Sequence, residues 1–98
     1  MTKDDIKFRY YNHEEENPFV KEDEPGKHIL WQIQKSIAKF PDSIPDMIKR
    51  YEELKENGKL PDFIKESNAP EAAKCEAYMT YFAADSFANE QFFKEHFF

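Results

Sequence analysis

"KHILWQIQKSIAKF", residues 27–40, is the stretch on which the fold turns. Leu30, Ile33, Ile37 and Phe40 recur three and four residues apart, and Ile29 and Trp31 widen the same face. That period is the apolar stripe of an amphipathic helix, not the alternation of a strand. Pro41 follows and cannot supply the next backbone N–H, so the sequence predicts a helix over 27–40.

Working toward the C-terminus, "SIPD" opens a second helix. Ser43 is placed to cap, Pro45 suits the first turn, and Asp46 stands where a capping-box acid would. Ile44, Met47, Ile48, Tyr51 and Leu54 make its apolar face. Asn57-Gly58 is a stop, with Gly58 free to turn left-handed. Leu60, Phe63 and Ile64 predict one further turn of helix after Pro61. "NAPE" then starts a third helix, with Asn68 as cap and Pro70 in the first turn. Ala72, Cys75, Met79, Phe82, Ser86, Phe93 and Phe97 mark its stripe, and small residues at 83, 84 and 88 leave room for a neighbour. Unbroken from 69 to 96 it would be about 40 Å long, against roughly 20 Å for each of the others. It therefore breaks near 85–89, or its far end meets something else.

Toward the N-terminus the character changes. Residues 1–26 carry eight acids and four bases, which is four of the six net negative charges of the chain. Within them "IKFRYY" alternates, with Ile6, Phe8 and Tyr10 on one side and Lys7 and Arg9 on the other. This is the period of a half-buried extended segment. No second strand of that quality follows, so it reads as an arm lying on helices or pairing with another chain. The expectation is an all-α domain: a small three-helix bundle over 27–98 with a short extra helical turn, and an acidic extended N-terminal arm over 1–26.

Composition agrees. Only 2 of 98 residues are glycine, which disfavours tight β-turns and phosphate-cradling loops. Aromatic residues make up 16%, too many for a disordered chain, and a mean hydropathy of -0.90 makes the rest solvated surface. The net charge of -6 argues against direct nucleic-acid binding, which needs a basic surface. No run approaches the ~20 apolar residues of a membrane span. The single Cys75 cannot form an internal disulfide, and with no apolar leader at the N-terminus a reducing, cytoplasmic setting is expected.

Motifs for chemistry are sparse. His13 lies beside Glu14, Glu15 and Glu16, but adjacent loop residues diverge and no His or Cys pair at ligand spacing accompanies them, so no metal is expected. His28 begins a helix and His96 ends one; a charged histidine in a last turn suits the helix dipole, so His96 needs no ligand role. Cys75 falls on an apolar stripe and reads as a small core residue, not a nucleophile. No nucleophile elbow or phosphate loop is present, so neither enzyme nor cofactor is expected. "NPF", residues 17–19, matches a short peptide motif read by trafficking domains; three residues match easily by chance, and the segment reads as a turn with an anchoring phenylalanine.

The remaining signal is aromatic. The chain ends on "EQFFKEHFF", residues 90–98. Neighbours on a helix diverge by about 100°, so one partner helix cannot bury both members of Phe92/Phe93 or Phe97/Phe98. Two to four rings are expected at the surface of one subunit. The leading expectation is a non-enzymatic protein–protein interaction module, a homo-oligomer associating through its C-terminal helix. Phe92, Phe93, Phe97 and Phe98 would be the contacts, with Tyr10 and Tyr11 on the arm. The alternative is an acidic inhibitor that mimics nucleic acid on a basic partner surface. Residues 27–98, with twelve acids and ten bases, are too balanced to favour it.

Overall fold

The structure, a computed structural model, describes residues 1–12, 16–84 and 95. Among these the chain is all-α. Helix α1 is Pro25–Ala38, α2 Ile44–Glu56, α3 Asp62–Lys65 and α4 Glu71–Ala84, with single 3-10 turns at Lys3–Asp5 and Pro41–Ser43. Three helices of 13 or 14 residues and one four-residue turn of helix make the expected bundle.

Helix α1 starts and stops two residues earlier than its apolar pattern suggests. Pro25 and Gly26 read as breakers, yet Pro25 is the first helical residue, where a missing N–H costs nothing. At the other end Phe40 leaves the helix. A residue before proline is steered out of the α region, and Phe40 takes φ -124°, ψ 64°. Its ring, expected on the buried stripe, is 69% exposed.

The turn at Pro41–Ser43 feeds α2 almost without a break. Ser43 stands at the N-cap position, but its hydroxyl donates back to the Phe40 carbonyl at 2.6 Å instead of capping α2. Ile44, Ile48 and Tyr51 are buried, with Met47 and Leu54 packed beside them. The helix ends as Asn57-Gly58 predicts. Gly58 has φ 67°, its N–H reaches the Lys55 carbonyl, and the Lys59 N–H reaches that of Leu54. This pair of bonds is a Schellman motif. Asn68 does not cap α4; Pro70 directly precedes it and its carbonyl accepts the Lys74 N–H.

Helix α4 packs against α1, α2 and α3. Residues 75–80 are all buried, so α4 is the central helix in this half, wrapped on every side. Cys75 and Met79 lie in the core with Leu30, Ile37, Ile44, Ile48, Tyr51, Phe63 and Ile64. The stripe fails at Phe82, which is 60% exposed. It shares the Cys75 face, and the Tyr78 ring lies 6.1 Å from it. The expectation that this helix runs to 96, or breaks near 85–89, lies outside the described residues.

Residues 6–12 have no strand partner among the described residues. Ile6 is buried, Phe8 and Tyr10 pack against the core, and Lys7 and Arg9 face solvent. The alternation is thus satisfied by helices. The expected extended run is broken, however: residues 6–8 have no regular structure and Arg9 and Tyr10 form a turn.

Candidate functional site

A segment without a strand partner must satisfy its backbone donors some other way. Here the helices do so with side chains. Glu76 on α4 accepts the Arg9 N–H on Oε1. Gln34 on α1 accepts the Tyr10 N–H on Oε1 at 2.9 Å. The two acceptors are themselves joined: Gln34 Nε2 donates to Glu76 Oε1 at 3.2 Å and lies 3.4 Å from Thr80 Oγ1. The Thr80 hydroxyl donates to the Glu76 carbonyl at 2.9 Å. Gln34 and Thr80 are fully buried and Glu76 is 5% exposed. Burial pushes the Glu76 carboxyl up to about 7, and the Arg9 N–H, the Arg9 charge and the Gln34 amide pull the other way without overcoming it.

Next along the arm, Tyr11 sets its ring edge-on to Trp31, with centroids 5.2 Å apart at 71°. Trp31 is 2% exposed, and its indole N–H has no hydrogen-bond partner among the described residues. Tyr10 meets Phe19 edge-on at 6.1 Å, and the Arg9 guanidinium lies 5.7 Å from the Tyr10 ring. Tyr10 and Tyr11, the candidate contacts on the arm, are therefore half-buried and engaged within the chain. Phe92, Phe93, Phe97 and Phe98 lie outside the described residues, as do His13, Glu14, Glu15 and His96.

The "NPF" segment is a fastening. Asn17 Oδ1 accepts the Phe19 N–H at 3.0 Å, an Asx turn. His28 Nδ1 lies 2.7 Å from the Phe19 carbonyl. As the donor there it holds the segment to the start of α1, and Asn17 Nδ2 donates to the His28 carbonyl at 3.3 Å. Phe19 is half-buried.

A second polar group lies on the other side of α4. The Tyr51 hydroxyl donates to Glu71 Oε2 at 2.6 Å, and Lys55 Nζ is 2.9 Å from Glu71 Oε1. The Tyr51 hydrogen bond, then Lys55, hold the Glu71 carboxyl below the ordinary range. With Lys65 and Lys74 these groups line a small cleft. Glu71 already serves as the counter-ion there. Close by, the Cys75 thiol is fully buried and pushed up to about 12, first by burial and then by Glu52 and Glu71. It is a core side chain with no thiolate to offer. Among the described residues no group of three or more His, Cys, Asp or Glu side chains could hold a metal ion, and no helix is long and apolar enough to cross a membrane.

The clasp of Gln34, Glu76 and Thr80 is not visible as a motif. Its one trace is polar residues at positions where the helical period calls for core: Gln34 falls between Leu30 and Ile37, and Glu76 and Thr80 flank Met79. No family model, curated protein or solved structure matches the chain.

Proposed function

We propose that this chain is a non-enzymatic protein-interaction module that self-associates through the outer face of α4 and the phenylalanine-rich residues that follow it. The observation that carries this is Phe82, a large ring 60% exposed two residues past a stretch of the same helix, 75–80, that is wholly buried. Fully burying a phenylalanine is worth roughly 1.5–3 kcal/mol. Five more phenylalanines lie in the 14 residues after Ala84. Together they would form an apolar patch larger than single subunits usually leave open. Tyr10 and Tyr11 contribute only the ring edges that the bundle leaves uncovered.

The partner is protein, in the first instance a second copy. The net charge of -6 disfavours nucleic acid, and the reduced, buried Cys75 suits a cytoplasmic setting. Carboxylates on the body are interleaved with cations (Glu53 with Arg50, Glu71 with Lys55), which speaks against a nucleic-acid mimic.

Sedimentation equilibrium at micromolar concentration tests the reading on three proteins: the full chain, a chain ending at Glu90, and Phe82→Glu. The full chain is expected to be a reversible oligomer and both variants monomers with unchanged helical circular dichroism. A full chain that stays monomeric, or variants that associate as tightly as it does, would overturn it.

A further inference from the structure

We propose that residues 1–12 are a detachable arm, held on the α1–α4 face by the Glu76–Gln34 clasp, and that ionisation of Glu76 loosens the hold. This does not depend on self-association.

Three observations support it. First, the arm is fastened by acceptors that belong to side chains. A sheet ladder fixes every second residue through backbone, whereas here the two consecutive N–H groups of Arg9 and Tyr10 rest on Glu76 and Gln34. Second, Glu76 is buried beneath the arm, so opening the arm gives the carboxylate water. A charge that is costly to bury favours whichever state hydrates it. Third, the Trp31 indole N–H is buried beside Tyr11 with no partner among the described residues. Leaving a buried donor unpaired is unfavourable, and an open arm lets water reach it.

The groups facing Glu76 fix the direction of the pH dependence. Arg9 is the cation on the arm, and Cys75, neutral through burial, is its titratable neighbour on α4. Helix α1 meets it with neutral Gln34. Arg9 favours the carboxylate, but burial outweighs it, so the closed state prefers the protonated acid. Opening returns Glu76 toward its ordinary value of 4.5, from about 7 when closed. The arm is held tightest below 4.5 and loosens as pH rises toward 7. The closed-to-open ratio falls on the order of 10²-fold over that window.

Trp31 is the only tryptophan and lies under the arm, so it reports the arm's position. The experiment is acrylamide quenching of Trp31 fluorescence in the full-length protein from pH 4.5 to 8.5, beside Glu76→Gln, with circular dichroism as the control for folding. In the wild type, quenching is expected to rise several-fold while helicity stays constant. In Glu76→Gln, a neutral isostere that keeps an acceptor oxygen, it is expected to stay low and flat. A flat wild type, or a variant that titrates like it, would overturn the proposal. Should the variant not fold, amide exchange in the wild type decides. Protection factors for the Arg9 and Tyr10 amides, corrected for intrinsic rates, are expected to fall with pH, and pH-independent protection sinks the idea.

Discussion

At the scale of single residues, two ionisable groups on one helix act in opposite directions and in different pH windows. Glu71 has a lowered carboxyl, so the stability it contributes is present above the ordinary value of 4.5 and is lost as pH falls below it. Glu76 has a raised carboxyl, about 7 against 4.5, so its contribution is complete below 4.5 and is lost as pH rises through 7, on the order of 3 kcal/mol. Tyr51→Phe removes the hydroxyl that donates to Glu71. It is expected to lower stability by about 1–2 kcal/mol at pH 7 in urea titrations, with a smaller loss at an acid pH below 4.5, as the carboxylate takes up its proton. An equal loss at both pH values would show that the tyrosine acts through packing alone. The neighbouring Cys75 makes a kinetic prediction. A fully buried thiol at about 12 reacts only when the helix around it opens. Labelling with a disulfide reagent at pH 8 should therefore track the unfolding equilibrium as urea is added, and reaction within seconds in native buffer would contradict the assigned burial.

At the scale of elements, what could be read from sequence was whatever rests on local geometry. The stop at Asn57-Gly58 is such a case, because only glycine takes φ 67° without strain. A Cβ added there would meet nothing nearer than Lys65 Nζ at 4.0 Å, so substitution changes backbone conformation and not packing. Gly58→Ala is expected to cost about 1–2 kcal/mol and Gly58→Asn less, measured by thermal or urea unfolding; equal stability in all three proteins would remove the left-handed turn as a determinant. The arm's inward residues were legible too: the alternation names Ile6, Phe8 and Tyr10, and all three pack on the core although Arg9 and Tyr10 form a turn. Tertiary cover was not legible. The same period that marks Met79 as core marks Phe82, and only the reach of the neighbouring helices separates a buried residue from one 60% exposed. Phe40 was misplaced because the conformational demand of Pro41 acts one residue earlier than its missing N–H. The role of Glu76 was not legible because its contact is with the arm, some 70 residues away in sequence.

At the scale of the whole molecule, the arm completes a bundle too small to cover its own central helix. Helices α1, α2 and α3 leave one side of α4 open around residue 76, and residues 6–10 lie there. Deleting residues 1–12 removes buried Ile6 and the partial cover of Phe8 and Tyr10, a loss expected to exceed about 3 kcal/mol. It removes only a single 3-10 turn of regular structure, so the circular dichroism at low temperature should keep its helical amplitude while the melting temperature falls. Deletion also hydrates Glu76. The stability lost between pH 4.5 and 7 in the full chain should then be absent from the truncated one, while the acid-side loss belonging to Glu71 remains in both. Urea titrations of the two proteins at pH 3, 4.5, 6 and 7.5 separate these terms. A truncated chain that keeps the full pH slope would place its origin elsewhere than under the arm, and one that melts at the wild-type temperature would mean that the bundle does not need the arm at all.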